Sequence, residues 1–100
     1  MIYVVAILKV KNVAAFNEFE SQAIQILKSH GGVLVSAFEA DPSDVSSSDN
    51  IEVHYIQFPT IESYNSYRAD PALEQLADLR SNAIHSTKLY VSERLKEYGE

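Results

Sequence analysis

Residues 2–10 read IYVVAILKV, and residues 51–58 read IEVHYIQF. Both runs are rich in β-branched and aromatic residues, and the first is almost free of polar breaks. A strand of that kind is covered on both faces, which places it in the centre of a sheet. Two further segments, VLVSAFEA at 33–40 and HSTKLYVSE at 85–93, also read as strands. These carry Ser36, Glu39, Lys88, Ser92 and Glu93. Such residues suit edge strands, where they discourage pairing with another chain.

Helical signals fill the gaps between the strands. Asn12 is a candidate N-cap, and Phe16, Phe19, Ala23, Ile26, Leu27 and His30 follow at helical spacing as one apolar stripe. Gly31 and Gly32 can end that helix in a left-handed turn. After Pro59, Thr60 caps a second helix running from Ile61 to about Ala69. Asp70-Pro71 is a fresh helix start, so the second helical region breaks there. Leu73, Leu76, Ala77, Arg80 and Ala83 or Ile84 continue its face. The acidic, serine-rich DPSDVSSSDN of 41–50 reads as an exposed hairpin loop. The charged ending RLKEYGE reads as a fraying segment or a helical turn.

The resulting order, β-α-β-β-α-β, is that of a ferredoxin-like α+β sandwich with two helices on one face of a four-stranded antiparallel sheet. In its usual spatial order, 4-1-3-2, the two apolar runs are central. The chain of 100 residues is expected to form one domain, 1–100, with a core over about 2–92 and a charged tail at 93–100. Strand parity then poses a question. Tyr3, Val5 and Ile7 alternate with Val4, Ala6 and Leu8, and Val53, Tyr55 and Gln57 with His54, Ile56 and Phe58. Phe58 directly precedes the second helix, so the sets containing Val4 and His54 belong beneath the helices. The remaining set is too apolar for water and predicts a homodimer in which two sheets pack face to face as a shared α/β barrel.

Composition narrows the function classes. Eight basic residues stand against fourteen acidic ones, for a net charge of −6, and the basic residues are scattered. Nucleic acid and anionic membranes are poor partners for such a chain. The apolar start has no basic region before it and stops at Lys9, so it reads as a buried strand and not as a targeting or membrane segment. There is no cysteine, which excludes disulfides, thiolate zinc sites, iron–sulfur clusters and cysteine nucleophiles, and favours the cytoplasm. Gly31, Gly32 and Gly99 are the only glycines, so there is no phosphate-cradling loop and no Gly-x-Ser-x-Gly elbow. The acidic residues of 41–52 do not match a calcium loop, and no two histidines have a metal-ligand spacing. No cofactor and no metal are expected.

Several local strings carry a family resemblance. They are Tyr-Val-Val-Ala at 3–6, His30-Gly31-Gly32, Phe58-Pro59-Thr60, Tyr67-Arg68-Ala69-Asp70-Pro71 and the stretch from Leu76 to Arg80. Over about residues 2–92 the chain resembles the dimeric α/β-barrel superfamily and, within it, the uncharacterised domain of unknown function 1330. The resemblance implies the fold and the dimer, and assigns no reaction. Relatives often carry an arginine and glycines late in the second strand, where this chain has Val35-Ser36-Ala37-Phe38-Glu39. A family ligand site built there would be altered. More distant members of the superfamily include cofactor-independent monooxygenases, muconolactone isomerases and haem-degrading enzymes.

Five residues are candidates for chemistry. His54 interrupts a central strand and could act as a general base, or it could be a core histidine bonded to a backbone carbonyl or a tyrosine. Arg80 could bind a carboxylate or enolate oxygen, and it matches an arginine recurring in the resembling family; equally, it could pair with a local acid such as Asp78 or Glu74, or with a carboxylate of the partner chain. Tyr64, Tyr67 and Arg68 share a helical face and could line the mouth of a cleft for a small apolar or aromatic ligand, although tyrosines so spaced also serve as core. His30 ends a helix, where the dipole accounts for it. Three functions stand side by side: a small-molecule-binding homodimer, a cofactor-independent monooxygenase or isomerase acting on a small aromatic or enolisable substrate, and a purely structural dimer or assembly subunit.

Overall fold

The computed structural model describes residues 1–40 and 50–99. Its elements are β1 (Ile2–Val10), α1 (Val13–Ser29), β2 (Val33–Ala40), β3 (Asn50–Phe58), α2 (Ile61–Arg68), α3 (Pro71–Glu74), α4 (Ala77–Ala83) and β4 (Ile84–Ser92). The sheet order is β2-β3-β1-β4, every neighbour antiparallel, so the two apolar strands are central as expected of a ferredoxin-like sandwich.

Each expected cap is in place. The Asn12 side chain accepts from the Ala15 N–H at 2.9 Å, Thr60 from Ser63 at 3.1 Å, and Asp70 from Ala72 at 2.8 Å. The C-terminus of α1 closes as a Schellman motif: Gly31 N–H donates to Lys28 O and Gly32 N–H to Leu27 O. Gly31 takes φ +78°, a conformation costly for any residue with a Cβ. A Cβ on Gly32 would lie 2.7 Å from Leu27 Cγ and 2.8 Å from Phe58, so the closeness of α1 to β3 needs that glycine.

Two expectations are corrected and a third is narrowed to one of its alternatives. The second helical region breaks twice, because α3 ends in a tight turn in which Leu76 N–H bonds Leu73 O at 3.0 Å. That turn brings Leu73, Leu76 and Leu79 against one core cluster. Asn50 belongs to β3; the rest of the expected 41–50 loop lies outside the described residues. Residues 94–99 form no helical turn, and Leu95 and Tyr98 are exposed.

The helices cover one face only. Ile2, Val4, Ala6, Leu8 and Val10 are all buried, and so are His54 and Phe58. Tyr3, Val5 and Ile7, with Val53, Tyr55 and Gln57, point the other way and are only half-buried. The core divides into two clusters. One gathers Leu8, Val10, Phe16, Phe19, Ala23, Ala83 and Ile84; the other gathers Ile2, Val4, Leu27, Phe58 and Tyr64. Ala6, midway along β1, belongs to neither.

Candidate functional site

The gap between the two clusters is a cavity of about 330 Å³ between sheet and helices. Its floor follows from the strand register. Ala6 faces His54 on one side and Leu89 on the other, flanked by Val4 with Ile56 and Leu8 with Thr87. A methyl group at the centre of a row of larger side chains leaves depth that no helix fills. Phe58 and Tyr64 close one end, and Ile84 and Arg80 the other, with Leu73 between. Leu89 is 43% exposed, so the cavity opens toward β4.

All five sequence candidates line this one cavity: His54, Tyr64, Tyr67, Arg68 and Arg80. Their partners differ from the expected ones. Among the described residues His54 bonds neither a backbone carbonyl nor a tyrosine. It is 4% exposed and lies between two carboxylates, with Nε2 3.0 Å from Glu52 Oε1 and Nδ1 3.9 Å from Glu20 Oε2. An ionised carboxylate can only accept, so His54 Nε2–H donates to Glu52, and Nδ1 is the ring nitrogen on the Glu20 side. Phe16 packs edge-on against the ring, 6.2 Å between centroids. Burial pushes the Glu20 carboxyl above its ordinary 4.5; His54 opposes the rise, and Glu52 adds to it.

Arg80 pairs with neither Asp78 nor Glu74. Its Nη2 donates to Thr87 Oγ1 on β4 at 2.8 Å. Arg68 places its guanidinium carbon 5.8 Å from the centre of the Tyr64 ring. Burial raises the Tyr67 hydroxyl to about 12; Glu20 adds to that shift and Arg80 opposes it. The Tyr64 ring packs edge-on against Phe58, and its hydroxyl is buried with no hydrogen-bond partner among the described residues. His30 does more than meet a helix dipole, since its Nε2 lies 2.7 Å from Asp70 Oδ2. No group of three His, Cys, Asp or Glu side chains among the described residues converges as a metal site would require.

The profile of the family described as Domain of unknown function (DUF1330) matches residues 1–94. This chain belongs to that family. No curated protein matches it in sequence. Among solved structures, this DUF1330 protein is similar to a NIPSNAP family protein of unknown function from Agrobacterium tumefaciens, with a TM-score of 0.67 and 23% identity over 92% of this chain and 86% of that one. SnoaB from Streptomyces nogalater, described as a cofactor-independent oxygenase, superposes with a TM-score of 0.68 at 11% identity, over 99% of this chain and 97% of its own. A dimeric protein of unknown function from Bacteroides fragilis, described as having a ferredoxin-like fold, gives 0.60 at 11% identity, over 93% and 95%. At these identities the likeness is one of fold.

Three cavity or near-cavity residues of the DUF1330 chain escaped the sequence reading: Glu20, Glu52 and Thr87. Glu20 left a signal, because it falls four after Phe16 and three before Ala23, inside the apolar stripe of α1. Glu52 is two before His54 and therefore shares its face. Thr87 could be found only once the end of α4 and the parity of β4 were known.

Proposed function

We propose that this chain is a small-molecule-binding homodimer, each subunit acting as a single domain and taking a small apolar or aromatic ligand into the cavity over Ala6. The observation that carries the reading is the cavity itself, about 330 Å³ left open over Ala6 and lined by His54, Tyr67 and Arg80 as well as by apolar side chains. The volume falls within the range of small-ligand pockets, and a purely structural subunit would gain stability by filling it. The absence of cysteine supports a cytoplasmic location.

The homodimer reading rests on the open face. Val5, Ile7, Val53 and Tyr55 form its centre, flanked by Phe38 at 56% and Tyr90 at 60% exposure. A second copy offers the same apolar face and can cover it by two-fold symmetry.

A cofactor-independent monooxygenase or isomerase is the second reading, favoured by His54. Glu52 orients the ring through Nε2, and Nδ1, 3.9 Å from Glu20 in the same cavity, is the nitrogen that would accept a proton from an enolisable ligand entering between them. Native mass spectrometry of the gently purified protein tests both readings. The expected result is twice the chain mass plus a retained small molecule, which Ala6→Leu loses while staying folded and dimeric. A molecule that Ala6→Leu retains overturns the cavity as its site. Turnover of the identified molecule, lost in His54→Ala while binding persists, would decide for the enzyme.

A further inference from the structure

Arg68 and Arg80 belong to a chain with fourteen acidic residues and eight basic ones. In that surplus of carboxylates, a guanidinium has many available partners. Yet neither arginine forms an ion pair among the described residues; the pairs present there all involve His30 or His54. Both arginines line the same cavity. Arg80 is held in place as well, since its bond to Thr87 fastens the guanidinium to the β4 side of the opening. Thr87 is neutral and takes one of five N–H donors, so the charge is positioned and left without a counterion there. Beside it the wall is apolar: Ala6, Leu89, Ile84, Phe19 and Leu73. The nearby carboxylates of Glu20 and Glu52 stand at His54, on the β3 side of the floor.

We propose that the ligand is a small carboxylic acid bound as its anion, with its apolar body over Ala6 and Leu89 and its carboxylate forked on Arg80. The inference rests on the reading of this cavity as a ligand site and adds the charge and orientation of what enters. A planar carboxylate matches the guanidinium fork, with two parallel N–H···O bonds. An apolar tail then occupies the depth that Ala6 leaves.

The experiment is a titration of the full chain followed by backbone amide chemical shifts at Ala6 and Leu89. The probes are phenylacetate and hexanoate, their neutral amides, and inorganic phosphate. The expected result is that the acids bind about tenfold or more tighter than the amides, and that phosphate does not compete. Arg80→Gln brings acid and amide to equal affinity, and Ala6→Leu loses the binding of both. Equal affinity of acids and amides for the wild-type chain overturns the carboxylate assignment while leaving the cavity as a binding site. Phosphate competing as well as the acids does the same. Shifts from none of the probes, or shifts that survive Ala6→Leu, overturn the site together with the assignment.

Discussion

Glu20 is a carboxylate placed in the buried stripe of a helix, facing a histidine that already holds another carboxylate. Its raised pKa has a definite sign for stability. The folded chain keeps this proton at pH values where the unfolded chain has released it, so the folded state is favoured most below 4.5 and loses that advantage as pH rises toward the raised value. Glu20→Gln is therefore expected to raise the urea midpoint at neutral pH and to leave it unchanged below 4.5. A lower midpoint for the variant at neutral pH would show that the ionised carboxylate stabilises His54 by more than its burial costs. The five residues singled out from sequence all reach the cavity, because strand parity and helical spacing fix the side on which each lies. Their partners were not legible in the same way. Glu20 meets His54 across the sheet–helix boundary, and Thr87 meets Arg80 across a helix–strand junction. Nothing in local spacing encodes those distances.

Elements were legible where a cap or a glycine marks them. Asn12, Thr60 and Asp70 each bond the backbone as their chemistry demands, and the Gly31-Gly32 pair ends α1. The break between α3 and α4 carries no such mark, because Leu76 bears no side-chain cap; the turn is imposed by packing of the leucines. Asp70 does two things at this level. It caps α3 and accepts from His30 at the end of α1, so one side chain ties α1 to α3 beside Tyr67. The bond from His30, with that from the Ala72 N–H, holds its carboxyl below the ordinary 3.8. The stabilisation is present above 3.8 and is lost as pH falls through the lowered value. Asp70→Asn keeps the cap and removes the charge. It is expected to lower Tm at neutral pH, with the difference vanishing in acid well below 3.8. Thermal melts by circular dichroism at the two pH values measure this, and an equal loss at both would place the effect in the cap alone.

At the scale of the whole molecule, the sheet order and the covered face followed from two apolar strands and one phenylalanine before a helix. The molecule is a slab 40 × 36 × 16 Å, with helices on one side of the sheet. Its radius of gyration of 14.4 Å exceeds the roughly 13 Å of a compact chain of this length. A second copy on the open face would restore the missing thickness. Val5→Asp and Val53→Asp are each expected to turn the proposed dimer into monomers or aggregates, because a charge buried without a partner costs about 3–5 kcal/mol. Unchanged dimers in size-exclusion chromatography with light scattering would move the contact to another surface.

β1 alternates strictly between buried and less buried positions up to Leu8. Val4, Ala6 and Leu8 floor the cavity, and Tyr3, Val5 and Ile7 belong to the proposed partner contact. Two vocabularies are thus interleaved in one nine-residue strand. A change of ligand would be written in Val4, Ala6 and Leu8, and a change of assembly in Tyr3, Val5 and Ile7. Descendants of this chain could revise one set while copying the other unchanged. Homologues compared at these six positions would then show two independent patterns of drift, one tracking what is bound and the other tracking how subunits meet.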